Sequence, residues 1–430
     1  MGRAMKNSGV EWIGEIPEEW IVYKLKYLLK VPLQYGANAT GITYSESLPR
    51  YIRITDISFD CTLKIDNALS LEESEAYPYI LDDGDILFAR SGATVGKTFI
   101  YKRKYGKCAF AGYLIRAQIA DKVLPEYVYY YTLSTGYELW KNSIFIQSTI
   151  QNIGADRYAN MKLPIPRSID MQRRIVNFLH RKCAEIDNIF SKTKTSIEEY
   201  QKLKKAIVIK AVTKGLNDKV QMKQTDSDWI GEIPAHWDYV RIQSLFEIVD
   251  ERNEDENALL LSLYTAIGVR PRNELEEKGN KAITVMNYKK VQKNDIIVNK
   301  LLAWMGAVGY SDYEGVTSPD YDVYRAKEGA NVVRTYYNEY FRHTCFNGDC
   351  YKYGHGIMLM RWRTYPEEFL RIKVPNPPME EQEAIAKYLD EKCTEIDRLI
   401  EKKELFIAEM EKYKKSLIYE YVTGKKCVVN

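Results

Sequence analysis

The sequence predicts an α+β protein: two tandem mixed α/β domains held apart by two long helices paired as an antiparallel coiled coil, the whole forming an internal pseudo-two-fold repeat. Three observations predict it. The segment WIGEIPEEW at 12–20 returns as WIGEIPAHW at 229–237, an offset of 217 in 430 residues. A repeat at half the chain length marks two copies of one unit, not a short-period solenoid. Later matches hold an offset of 210: Gly84-Asp85-Ile86-Leu87 with Asn294-Asp295-Ile296-Ile297, Gly96 with Gly306, Gln172 with Gln382, and Val212-Thr213 with Val422-Thr423. Finally, each copy ends in a long run of apolar residues at helical spacing. Between 37–77 and 253–288 almost nothing aligns, so each copy is a shared frame around a divergent insert.

The elements follow in order. In copy one, 52–57, 85–89, 98–101 and 113–119 are short, β-branched or aromatic, and bounded by Gly and Asp, so they read as strands. The Tyr- and Leu-rich 125–134 reads as a helix packed on that sheet. Leu163-Pro164-Ile165-Pro166 cannot continue a helix and reads as an extended connector, repeated as Val374-Pro375-Asn376-Pro377-Pro378. Beyond the connector, Ile175, Leu179, Cys183, Ile186, Ile197 and Leu203 step by helical intervals with no Gly or Pro; Ile385, Leu389, Cys393, Ile396, Ile407, Tyr413 and Leu417 repeat the pattern. A helix over 172–212 would be about 60 Å long. One apolar seam on so long a helix asks for a partner helix, and the other copy supplies an equivalent one. The expected organisation is a first mixed domain at 5–165, a first long helix at 166–216, a second mixed domain at 217–376 and a second long helix at 377–425. Trp12, Ile13, Ile16 and Trp20 read as a packing plug where each unit begins.

Composition sets limits. No run approaches the roughly 18 to 20 apolar residues that span a bilayer, so no membrane association is expected. The first four residues carry no apolar leader core. Seven cysteines without a CxxC pair fit a reduced, cytoplasmic thiol set. A net charge of +3 is too small to mark a nucleic-acid binder, so any such site must come from local patches. Tyr outnumbers Phe 34 to 12, which suits hydrated or interfacial surfaces.

The WIGEIPxxW entry, GDILFARSGATVGKTFIY at 84–101, the Ser-Thr-Ile-Gln-Asn-Ile stretch at 148–153, the LPIP connector and the long helices ending AVTKG and YVTGK together resemble the specificity subunit of type I restriction-modification enzymes. The resemblance covers nearly the whole chain, including the order of its parts. It implies two target-recognition domains, each reading one half of a split, asymmetric duplex DNA sequence, with the paired helices fixing the gap. It also implies docking of two methyltransferase (modification) subunits and of restriction (translocase and nuclease) subunits. S-adenosylmethionine, ATP and Mg then belong to those partners, and this chain is non-catalytic with no cofactor of its own. Copy two departs from the pattern at Asn294-Asp295-Ile296-Ile297-Val298-Asn299-Lys300 and has no Ser-Thr-Ile-Gln run. Two other readings fit the same residues: the specificity subunit of another restriction or phage-defence assembly, and a coiled-coil adaptor that contacts protein only.

Catalytic and metal motifs are weaker. Ser91-Gly-Ala-Thr-Val-Gly96-Lys97-Thr98 resembles a phosphate-binding loop, but its first position is Ser and a strand-like Phe99-Ile100-Tyr101 follows where a helix is needed. Asn376-Pro377-Pro378-Met379 resembles an amino-methyltransferase motif without the aromatic that stacks on a flipped base. His343, Cys345, Cys350 and His355 are close together, at spacings that match no ordinary zinc finger. No metal is expected, and Cys183 and Cys393 read as small packing residues of the helix seam.

Reading a duplex calls for Arg, Lys, Asn, Gln, Ser and Thr at loop tips and strand ends. Copy one offers Arg53, Thr55, Arg90, Ser91, Lys97, Ser148, Thr149 and Gln151; copy two offers Arg270, Arg272, Asn273, Lys300, His355 and Arg361. Lys202, Lys204, Lys205, Lys412, Lys414 and Lys415 lie between seam positions, as a solvated face or as phosphate contacts in the gap.

Overall fold

The fold is that of a computed structural model, which describes residues 3–58, 62–64, 66–92, 94–146, 152–265, 267–274, 284–356 and 362–428. It divides into two compact units, one of Met1–Lys194 with Glu404–Asn430, the other of Thr195–Lys403. Each unit thus contains one mixed domain, the near half of one long helix and the far half of the other.

The repeated entry segment forms the same small hairpin in both units. Glu15–Pro17 pairs antiparallel with Met5–Asn7, and Glu232–Pro234 with Met222–Gln224. Ile13, Ile16 and Trp20 are buried, as are Ile230, Ile233 and Trp237, so these positions seal the base of each core. The first tryptophan behaves differently. Trp12 is half-buried against the core, whereas Trp229 is 53% exposed and lies flat on Gly348, where a Cβ would come within 2.3 Å of its ring.

In the first unit an antiparallel sheet runs in the order Gln34–Tyr35, Leu114–Ala117, Ile86–Ala89, Thr98–Ile100. The second repeats it as Phe246–Val249, Tyr321–Ala326, Ile296–Asn299, Val308–Tyr310. The strands expected near 85–89, 98–101 and 113–119 are therefore present, and the helix expected at 125–134 spans Pro125–Thr132. The turn leading into each central strand needs a left-handed residue, supplied by Gly84 (φ 90°) in one unit and Asn294 (φ 75°) in the other. The Asp beside it is buried and braced in both: Asp85 faces Arg116 at 3.6 Å, and Asp295 takes the Arg325 guanidinium at 2.8 Å. Burial pushes the Asp85 carboxyl above its usual range.

Two local expectations are corrected. The strand expected over 52–57 stops at Ile52; Ile54–Asp56 is a 3-10 turn, because the Asp56 carboxylate accepts the Arg53 backbone N–H at 2.7 Å and pairs with the Arg53 side chain. Such a side-chain bond competes with a strand ladder. The LPIP connector is itself a strand, Lys162–Ile165, paired with Ile21–Lys24; Lys373–Asn376 pairs likewise with Asp238–Arg241. Proline fits because a two-stranded sheet has only edges.

The divergent inserts are where the units differ. The first builds a four-stranded sheet in the order Cys108–Phe110, Arg50–Ile52, Leu69–Ser70, Ile42–Thr43, with its first pair parallel. The second builds two separate pairs, Leu261–Tyr264 with Gly268–Pro271 and Lys289–Val291 with Gly315–Thr317.

The long helices span Ile169–Lys214 and Met379–Val422, 46 and 44 residues, or about 65 to 70 Å each. Their pairing is antiparallel in both units. In the first, Asp187 meets Lys414 at 2.5 Å and the Phe178 and Tyr421 rings lie 4.3 Å apart; in the second, Lys204 meets Asp397 at 2.6 Å and the Lys403 ammonium covers the Tyr200 ring. Ile175, Leu179, Ile186, Ile385, Leu389, Ile396 and Leu417 are buried, while Ile197 and Ile407 are half-buried. Leu203 and Tyr413 depart from the expected seam, at 48% and 54% exposed. Lys204, one residue on from Leu203, faces the other helix, so Leu203 lies off that face.

Each helix is latched to its domain by one buried glutamine. Gln172 accepts the Leu124 N–H at 2.9 Å and donates to the Pro166 carbonyl; Gln382 accepts the Val333 N–H at 2.8 Å and donates to the Pro377 carbonyl. The far end of the other helix is held by a tyrosine: Tyr127 donates to the Val422 carbonyl at 2.8 Å, and Tyr336 to that of Val212 at 2.9 Å. Replacing Gln172 with Leu leaves the half-buried Leu124 N–H and the buried Pro166 carbonyl without this partner. A loss of about 2 to 4 kcal/mol is expected, read as a lowered unfolding midpoint, with Gln382→Leu giving a loss of similar size.

Candidate nucleic-acid interface

In the first unit the end of the central strand gathers part of the expected set. Arg90 follows Ile86–Ala89 directly, and its guanidinium lies 5.0 Å from the centre of the Tyr35 ring. Ser91 bridges to Asn152, and the Arg90 carbonyl accepts the Ile153 N–H at 2.8 Å. The Arg90 Nε and the Asn152 Oδ1 are both buried with no hydrogen-bond partner among the described residues. Tyr35 is held in turn by the Ala155 N–H, which donates to its hydroxyl. Unspent donors and acceptors beside an exposed aromatic ring are suited to polar recognition. Ser148, Thr149 and Gln151, just ahead of Asn152, lie outside the described residues.

The remaining copy-one candidates are elsewhere. Arg53 is occupied by Asp56 and by the Asn67 carbonyl at 2.8 Å, so it braces its own turn, while Thr55 is exposed on that turn. Lys97 donates to the Ile57 carbonyl at 3.2 Å.

In the second unit Lys300 takes the place of Arg90, and its carbonyl accepts the Thr364 N–H just as that of Arg90 accepts the Ile153 N–H. Its surroundings are different. The Lys300 ammonium is 3.6 Å from Asp322, a buried carboxylate that also holds Lys289 at 2.9 Å. Arg270 donates to the Tyr313 hydroxyl at 3.0 Å, while Arg272 and Asn273 sit in the 3-10 turn Arg272–Glu274 with Asn273 exposed. His355 is exposed, its ring 4.9 Å from that of Tyr365 and its backbone bridged to Arg363. Arg361 lies outside the described residues.

Sequence reasoning missed Tyr35, Asn152, Tyr313 and Tyr365. Asn152 carried a signal, lying inside the Ser-Thr-Ile-Gln-Asn-Ile stretch; Tyr35 carried none, because its partners are 55 or more residues away.

The rival motifs resolve into packing. A strand, Thr98–Ile100, follows the Gly-rich segment where a phosphate-binding loop needs a helix. Asn376 closes the Lys373–Asn376 strand, and its Oδ1 accepts from Tyr337 and Gln382. Cys345 and Cys350 are buried on the helix Thr344–Tyr353, and His343 caps it by accepting the Thr344 N–H at Nδ1. Burial pushes the His343 imidazole down to about 4, which keeps that acceptor neutral. Of the lysine runs, Lys204 and Lys414 form the inter-helix pairs and Lys415 meets Glu138 at 2.6 Å; Lys202, Lys205 and Lys412 face solvent.

A duplicated mixed domain braced by antiparallel helices, with polar groups at matching strand ends, defines a modular recognition protein. The profile of the type I restriction modification DNA specificity domain matches residues 17–199 and again 234–405, and the chain belongs to that family. A Methanocaldococcus jannaschii protein named for the specificity subunit of the type I restriction enzyme MjaX is 28% identical, covering 96% of this chain and 95% of its own. The MjaVIII specificity subunit of the same organism is 22% identical over 54% of this chain and 50% of its own. Among solved structures, a chain from a study of complex assembly and conformational transition in the type I R-M system superposes with TM-score 0.68 at 12% identity, over 96% of this chain and 99% of that one. The HsdS subunit of Thermoanaerobacter tengcongensis gives TM-score 0.52 at 14% identity, over 96% and 98%. Both share the fold. No helix among the described residues is long and apolar enough to cross a membrane.

One buried acid ties the second entry segment to its domain. Asp349 accepts from the Ser227 hydroxyl at 2.8 Å, and its other oxygen has no partner among the described residues. Burial pushes its carboxyl up to about 6. A carboxyl raised in the folded state adds stability that is fully present below its unfolded pKa, near 4, and lost as pH rises through about 6. Unfolding at pH 4.5 and 7.5 is expected to show a component of about 2 kcal/mol favouring the lower pH, absent from Asp349→Asn. An identical pH response in the two proteins would remove Asp349 as its source.

Proposed function

We propose that this specificity subunit reads a bipartite, asymmetric duplex DNA sequence, one half-site per mixed domain, and performs no chemistry itself. Methyltransferase and restriction subunits dock on it and carry S-adenosylmethionine, ATP and Mg. One observation supports this above the others: the same braced frame occurs twice around inserts that differ in strand arrangement, 37–77 against 253–288. A device duplicated with altered inserts suits reading two different half-sequences. The candidate contacts are Arg90, Ser91 and the 148–152 stretch in one domain and Lys300, Arg270, Asn273 and His355 in the other, with the paired helices setting the gap.

Exchanging residues 5–165 for those of a related subunit is expected to change one half of the methylated sequence in the host genome and leave the other half unchanged. If both halves change, or neither does, the assignment of one domain to each half-site fails. Inserting one heptad at matching places in both helices adds about 10 Å of helix, so the gap is expected to grow by about three base pairs at the duplex rise. A methylome with the original gap removes the spacer role. Arg90→Ala is expected to weaken binding of the cognate duplex by about 1 to 3 kcal/mol.

A further inference from the structure

We infer that the first unit carries a second, sequence-independent DNA contact: a groove whose paired lysines, Lys24 and Lys162, grip the sugar-phosphate backbone. The groove, of about 660 Å³, is floored by Val10, Val22 and Tyr23 and edged by Lys24, Tyr27 and Lys162. It rests on the DNA reading proposed above, and its lining includes no residue of the Arg90 cluster.

The lysines are the unusual feature. Lys24 and Lys162 stand directly opposite each other on the strands Ile21–Lys24 and Lys162–Ile165. Side chains so placed start about 5 Å apart, and like charges there repel. Both lysines are half-buried, and among the described residues neither makes an ion pair or a side-chain hydrogen bond. Two more cations crowd the same edge, with the Lys122 ammonium over the Tyr23 ring and the Lys26 ammonium over the Tyr27 ring. Among the described residues, no acidic one lines the groove.

The second unit shows what compensation looks like. There Arg241 stands opposite Lys373 on the equivalent strands, but Lys373 is paired with Asp226 at 2.7 Å. That pairing holds the Asp226 carboxyl below its usual range. The residue corresponding to Asp226 in the first unit, 217 positions earlier, is Gly9. One frame therefore carries the same cross-strand cation pair twice, neutralised in one copy and open in the other.

An open pair calls for an anion from outside. Two ammonium groups carried on facing side chains suit the two free oxygens of one phosphodiester, while the apolar and aromatic floor suits the deoxyribose between phosphates. Contact of this kind adds affinity and salt dependence without reading bases.

The test uses the full chain, alone and co-purified with its partner subunits, and two duplexes of unrelated sequence. Binding constants are measured against salt concentration. The double variant Lys24→Ala/Lys162→Ala is expected to bind both duplexes more weakly and to reduce the slope of log K against log salt by about 1 to 2. Gly9→Asp, which places an acid in a left-handed position (φ 70°) where an added Cβ meets no described atom within 4 Å, is expected to act in the same direction, and Gly9→Asn, which carries the same backbone strain without the charge, to leave the slope unchanged. Unaltered slopes in both charge variants overturn the site, as does a loss confined to one sequence. Loss of partner co-purification with normal DNA slopes also overturns it, assigning the groove to an acidic protein surface instead. A wild-type chain with no salt-sensitive DNA binding in either preparation sinks the DNA reading itself, an outcome distinct from wild-type binding that the variants fail to change.

Discussion

The structure depends on how the end of each long helix is received. A helix leaves its last carbonyls without partners, and in a core such groups must be satisfied or cost free energy. Here the carbonyls of Val422 and Val212 are buried, and each accepts a tyrosine hydroxyl, from Tyr127 and Tyr336 respectively. Those two bonds fix which helix end belongs in which core. The glutamine latches at the other ends set the depth at which each helix starts, and the strand pairs through Pro164 and Pro375 tie the connectors to the floor of each domain. With both ends specified, the span between them can be covered by partial burial and by two charge pairs, Asp187 with Lys414 and Lys204 with Asp397.

Over this frame, variation is tolerated where it does no structural harm. The Asp–Arg brace, the left-handed turn residue and the four-strand order recur, although Gly84 becomes Asn294 and the two braces differ in length. The inserts do not share strand order. Compensation of charge differs as well: Arg90 rests on Tyr35 where Lys300 is drawn toward Asp322, and Lys162 is open where Lys373 is paired. A near-neutral total therefore conceals cations in very different states of readiness.

Much of the frame was legible in the sequence because it is written in local patterns. The helices follow from apolar periodicity, and the strands around Ile86 and Thr98 from β-branched runs ended by Gly and Asp. What was not legible depends on partners far along the chain. That Tyr35 joins the sheet opposite Ile115, and so comes to lie under Arg90, is a tertiary fact with no local trace. The strand expected over 52–57 failed for a local reason, the Arg53 and Asp56 turn, which outcompetes the β propensity of its isoleucines. Leu203 looked like seam by spacing alone, and spacing cannot tell which of two adjacent residues faces the partner helix. In the candidate site the strand-end positions Arg90 and Lys300 were readable; their neighbours were not.

The division of the first unit between distant parts of the chain also bears on the order in which the protein can be made. Domains commonly fold in the order in which they are synthesised. The second unit needs only residues 195–403, a continuous stretch, and has all of its pieces as soon as that stretch has emerged. The first unit, begun earlier, lacks its closing segment until residues beyond 404 are available, and Tyr127 has no Val422 to meet before then. The half of the protein translated first is thus completed last, and a ribosome that stalls within the second long helix leaves the earlier unit without its closing segment, the Tyr127 hydroxyl left with the Pro164 carbonyl alone.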